Sequence, residues 1–198
     1  MGIIDAMPWA VWIVVLPLIA AILTFLFPRS ASRLSLSAGF IIAFTATGLC
    51  LQVFRFGSQR YAIGGWGAPL GIDLYADGLA VFMVALTALV GFSTTIYATS
   101  YFDRAATNDE PAAQPNKAFF WPLWMFLWAA LNALYLSGDI FNLYVTLELI
   151  SLSAVALVAL AGGTGLLAAM RYLLISLLGS LIYLFGVVFL YADSGALS

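Results

Sequence analysis

The chain has 198 residues, of which 64% are hydrophobic and only 8% charged. Globular chains are typically about 45–50% apolar and about 25% charged; seven Lys/Arg and nine Asp/Glu cannot clothe a water-facing surface, and the bilayer must be the solvent for most of the chain. A net charge of −2 without a basic cluster excludes nucleic-acid binding, the absence of histidine removes His-based acid–base and metal chemistry, and the one cysteine, Cys50, allows no intrachain disulfide.

Continuous apolar stretches near the ~20 residues that a helix needs to cross the hydrocarbon core predict six spans, at 9–27, 34–54, 77–101, 118–137, 140–161 and 167–191. Alternation is missing from these runs, which excludes a β-barrel. The leader of span 1 carries Asp5 rather than basic residues, and its apolar run exceeds that of a cleaved signal, so it reads as a retained span. Pro17 lies in the middle of span 1 and predicts a kink.

Residues 55–76 hold glycines, Pro69 and two half-alternating runs, 59–63 and 70–75, the pattern of a short β-hairpin outside the membrane. The GGWG stretch within them lacks the lysine of a phosphate loop. Residues 102–117 are polar, carry two prolines and predict a flexible solvent loop. Trp121, Trp124 and Trp128 recur on one face of span 4, the spacing of an interfacial anchor or lipid-facing stripe. The Ser137-Gly138-Asp139 turn packs spans 4 and 5 as antiparallel neighbours, with Asp139 as N-cap of span 5. Span 6 has a small-residue face, Ser176, Gly179, Ser180 and Gly186, the mark of a close helix contact.

Basic residues set the orientation. Arg29, Arg33, Arg104, Lys117 and Arg171 fall in loops 1–2, 3–4 and 5–6, whereas the opposite side carries Arg55 and Arg60. The odd loops are therefore expected in the cytoplasm, with both termini and the hairpin outside. The fold class expected is an all-α, multi-pass cell-membrane protein: one membrane domain of six helices with an extracytoplasmic β-hairpin between helices 2 and 3.

Fifteen of the sixteen charges fall at span ends or in loops. Glu148 does not. Counted from the start of span 5 it lies roughly 13 Å deep, close to the midplane, where an ionisable group is costly and faces a bundle interior or an ion path. Desolvation favours the neutral carboxyl and a nearby cation the charged one, so a group held between them can load and unload a proton. The plainer alternative is a protonated Glu148 hydrogen-bonded within the bundle, with Ser151 and Thr146 near in sequence. Polar Asn132, Asn142, Ser151, Ser153, Thr87 and Ser93 line either a hydrated path or make local hydrogen bonds, and Arg171 can snorkel to the headgroups.

The stretch 137–160, SGDIFNLYVTLELISLSAVALVAL, resembles the membrane subunits shared by Mrp-type cation/proton antiporters and respiratory complex I. Residues 171–198, RYLLISLLGSLIYLFGVVFLYADSGALS, look like the next helix of that family. Residues 64–79, GGWGAPLGIDLYADGL, resemble the hairpin and the start of helix 3 in the D-type member of the family. The resemblance implies that Glu148 matches the family's helix 5 glutamate, which pairs with a lysine on helix 7 to translocate ions, and that Arg171 matches a commonly basic position. Family members have about fourteen helices and these residues make six, so the resemblance implies either companion membrane subunits, one of them supplying the remaining helices and that lysine, or a short or truncated subunit.

Together these features predict a membrane subunit of an ion-translocating complex, moving protons or sodium through Glu148, with Asn142, Thr146, Ser151 and Arg171 as supporting residues and no cofactor of its own. The rival from another class is a non-conducting structural or coupling subunit of such a complex. An enzyme acting on a lipid or quinone finds almost no catalytic inventory in these spans.

Overall fold

The computed structural model describes residues 7–65, 71–107 and 113–195. Its six long helices are α1 (Trp9–Leu26), α2 (Ala31–Phe56), α3 (Gly78–Thr107), α4 (Ala113–Tyr135), α5 (Ile140–Ala159) and α6 (Thr164–Ser194). Each contains a segment long and apolar enough to cross a membrane. Between α2 and α3, β1 (Gln59–Ala62) and β2 (Asp73–Ala76) pair antiparallel, with Gln59 opposite Ala76 and Ala62 opposite Asp73. The hairpin tip, 66–70, which holds Pro69 and part of the GGWG stretch, lies outside the described residues.

The segment expected as a loop over 102–117 is helical at both ends: α3 runs on to Thr107 and α4 begins at Ala113. A polar sequence loses nothing by staying helical beyond the bilayer, and Pro115 is the third residue of α4, where a backbone N–H has no intrahelical partner to lose.

The hairpin is seated on the turn between α4 and α5. The Tyr75 amide donates to the Leu136 carbonyl at 2.8 Å, and the Gly138 amide to the Asp73 carbonyl at 2.9 Å. Leu74 and Ala76 are buried beneath it, and Arg60 clasps the Asp73 carboxylate at 2.7 Å. A Cβ on Gly138 would stand 2.8 Å from the Asp73 carbonyl oxygen. Gly138→Ala is therefore expected to lift β2 off the turn, lowering hydrogen-exchange protection of the Tyr75 amide by about tenfold.

Helix α1 packs chiefly on α4 and α2, α3 on α2 and α4, and α5 on α4 and α6. The tryptophan face of α4 belongs to this core rather than to lipid. Trp121 and Trp128 are 0% and 1% exposed, and the Trp124 indole donates to Thr95 Oγ1 at 3.0 Å. Glycines on the neighbouring helices make the room: a Cβ on Gly91 would meet the Trp128 ring at 2.8 Å, and one on Gly39 would meet Phe92 at 3.0 Å.

Pro17 and Asn132 turn out to be partners. Proline has no N–H, so Pro17 leaves the Ile13 carbonyl, four residues back, without its helical donor. The fully buried Asn132 amide, reaching across from α4, donates to that carbonyl at 2.9 Å. The hydroxyls within the spans mostly bond inside their own helices, as Ser93 does to Leu89 and Ser153 to Leu149.

Helix α6 packs almost entirely on α5. Only 6% of the residues in its most apolar segment are buried, against 39% in α1. Gly179 and Gly186 face open space among the described residues, so these two members of the small-residue face make no close helix contact.

Candidate functional site

Helix α5 starts abruptly because its cap is strong. Asp139 is extended (φ −142°, ψ 155°), and its carboxylate accepts the Asn142 amide at 2.6 Å, satisfying one of the first-turn donors. Behind the cap, Asn142, Thr146 and Ser153 form the buried stripe of α5. The Thr146 hydroxyl donates back to the Asn142 and Leu143 carbonyls at 3.1 and 2.9 Å. Its single donor is used within the helix.

Glu148 stands eight residues past Ile140, about 12 Å along the helix. At 100° per residue it lies about 120–160° round from Asn142 and Thr146, so these two companions expected from the sequence are on another face. Ser151, half-buried, shares its side. Glu148 itself is half-buried rather than enclosed: Phe141, Val145 and Leu152, on the same outward flank, are 46%, 37% and 49% exposed. No hydrogen bond or ion pair joins its carboxylate to another described residue, and the exposed Arg171 is not brought to it. Among the described residues no group of three Asp, Glu, His or Cys could hold a metal ion.

Two residues that sequence reasoning passes over flank the site. The Tyr183 hydroxyl, on α6, donates to the Ile140 carbonyl at 3.1 Å. Its ring stacks on Tyr144 of α5, with centroids 6.4 Å apart and planes 6° from parallel. Tyr144 is one turn before Glu148 on the same face. The available signal is the phenol itself, since a tyrosine within an apolar span needs a partner for its O–H. Chemically, the site offers the Glu148 carboxyl partway along an apolar helix, half-buried and open on one flank.

No family model matches the chain. The chain is 34% identical over 195 residues to the N subunit of NADH-quinone oxidoreductase of Desulforudis audaxviator, a match covering 94% of this chain and 37% of that protein. It is 32% identical over 190 residues to the D-type subunit of the Na(+)/H(+) antiporter of Bacillus subtilis, covering 93% and 36%. The chain thus spans a little over a third of the length of these curated relatives. Among solved structures, a chain of the membrane-bound sulfane sulfur reductase, an archaeal respiratory membrane complex, superposes with a TM-score of 0.81 at 26% identity, covering 96% of this chain and 38% of that one. A chain of the Mrp complex from Dietzia sp. DQ12-45-1b shares the fold, with a TM-score of 0.71 at 23% identity, over 100% of this chain and 36% of that one.

Proposed function

The chain belongs to the family of antiporter-like membrane subunits of NADH-quinone oxidoreductases and Na+/H+ antiporters, and from that premise we propose that it is a membrane subunit of an ion-translocating complex in which Glu148 loads and releases a proton. The observation that carries the proposal is Glu148 itself, a half-buried carboxyl in the middle of a membrane-length helix with no partner among the described residues. A carboxyl so placed is stable as the acid in lipid-like surroundings and as the carboxylate beside a cation, and alternation between those states moves a proton.

Among the described residues no cation is paired with Glu148, so in this reading one comes from another segment. Arg60 is taken by Asp73, and the bare face of α6 is what a companion helical segment would cover, in this family the segment bearing the helix 7 lysine. The transported ion is a proton, or sodium exchanged for it. Five basic residues at one end of the helices and two at the hairpin end support an orientation with the hairpin and both termini outside the cell membrane.

Glu148→Gln, in the complex isolated with its native partners and reconstituted in vesicles, is expected to reduce ion-gradient formation by about two orders of magnitude with unchanged assembly. Undiminished transport in the assembled variant would remove the relay. It would instead favour a non-conducting coupling subunit, the reading to which the uncovered flank of Glu148 also lends itself.

A further inference from the structure

Granted that Glu148 is the proton site, we propose that Tyr183 and Tyr144 form its seat: a positioning pair that fixes the carboxyl-bearing helix against α6. Four observations converge on it. Tyr183 makes a side-chain hydrogen bond from α6 to the backbone of α5, through the Ile140 carbonyl at 3.1 Å. Its ring stands parallel to that of Tyr144, offset, with centroids 6.4 Å apart. Tyr144 precedes Glu148 by one turn, about 40° round the helix, with Cβ atoms about 6 Å apart. And α6 has almost no other support than α5.

The three links act on different freedoms of α5. The Asp139 cap and the hairpin-bearing turn hold its end in place. Neither fixes the lean of the helix axis beyond the first turn, where α5 lies between α4 and α6. The Tyr183–Tyr144 stack, lying off that axis on the flank of Glu148, does. Loss of the hydroxyl contact at Ile140, or of the stacked ring one turn on, loosens α5 against α6, and Glu148, one turn past Tyr144, shifts with it between the interhelix seam and the uncovered flank. Tyr183 touches no transported ion in this arrangement; it acts through the helix.

The test uses the complex with its native partners in membranes. Dicyclohexylcarbodiimide, an apolar reagent for carboxyls, is applied, and the rate of Glu148 modification is followed by peptide mass. Tyr183→Phe removes only the hydroxyl, and Tyr144→Leu removes the stacked ring. Each is expected to change the Glu148 modification rate by about fivefold, the weight of one net hydrogen bond or ring contact, with assembly unchanged and transport reduced. Tyr144→Phe keeps the ring and is expected to match the wild type. Wild-type modification rates in Tyr183→Phe and Tyr144→Leu, whatever their melting temperatures, would reduce the pair to an ordinary packing contact and overturn the proposal. Glu148→Gln assayed beside them keeps the two questions apart: normal transport in that variant removes the relay, whereas the modification rates still decide the seat.

Discussion

Replacing Asn132 with alanine is expected to lower the unfolding free energy by about 2–4 kcal/mol, and by about 1 kcal/mol less when residue 17 is also alanine. The first figure combines two losses. A fully buried side chain is truncated, and the Ile13 carbonyl is left without a donor in an apolar interior where water cannot replace it. The second figure isolates the hydrogen bond. With alanine at 17 the helix supplies its own N–H to Ile13, so the carbonyl no longer depends on α4. Interhelical hydrogen bonds in membranes commonly contribute only about 0.6 kcal/mol, because the freed groups find other partners. Pro17 removes the nearest alternative, which places this bond toward the upper part of that range. Denaturant titrations of the four proteins in mild detergent complete the cycle. Additive losses would mean that Pro17 and Asn132 are neighbours without being partners.

That pairing also shows where sequence reading ends. Pro17 and Asn132 each stand out as a polar or helix-breaking residue in an apolar span, and in the sequence each carries only a local meaning. The bond joins α4 to a carbonyl 119 residues away, and no periodicity encodes which helix lies opposite. The six spans are legible because a bilayer demands continuous apolar length, a property of the chain alone. Helix ends beyond the bilayer are not: apolar length says nothing about whether 102–107 or 113–117 remain helical in water. The tryptophans of α4 read as lipid-facing because lipid and a membrane-protein core are equally apolar, so amphipathicity loses its meaning. What distinguishes them is the room left by Gly39 and Gly91, on other helices. Glu148 is legible because a charge at membrane depth has no ordinary explanation, whereas its setting, with Tyr144 and Tyr183 on one side and an uncovered flank on the other, depends on how α6 returns along α5.

The uncovered flank and the packed core divide the molecule into two mechanical parts. Helices α1 to α4 share the tryptophan-centred core and the Asn132–Ile13 hydrogen bond, whereas α5 and α6 extend from it with their apolar faces largely bare. The candidate proton site lies in the second part, where repacking against a companion segment disturbs few contacts already made. In the proposed reading the first part is the fixed support. Its rigidity depends on close helix approach, since small residues rather than hydrophobic burial drive association between helices in lipid.

Gly91 tests that dependence most directly. A Cβ there would lie 2.8 Å from the Trp128 ring carbons Cε2 and Cζ2, closer than real Cβ contacts come. The indole has nowhere to go, being 1% exposed with Gly39 of α2 close to its far edge. Gly91→Ala is therefore expected to cost about 1–3 kcal/mol by overpacking, despite alanine's better helix propensity of about 1 kcal/mol. Gly91→Leu should prevent the α3–α4 approach altogether. Trp128→Phe shortens the ring at the point of collision and should recover most of the Gly91→Ala loss, although alone it is itself destabilising. Gly186, on the bare face of α6, is the contrasting case: nothing lies within 4 Å of its missing Cβ, so Gly186→Ala should leave stability unchanged or raise it by up to about 1 kcal/mol. Thermal unfolding of the detergent-solubilised variants, the Gly91→Ala/Trp128→Phe double variant included, reads all five. A neutral Gly91→Ala, or one not relieved by Trp128→Phe, would mean that α3 and α4 yield to the added methyl, and the support would not be rigid where the tryptophans cross it.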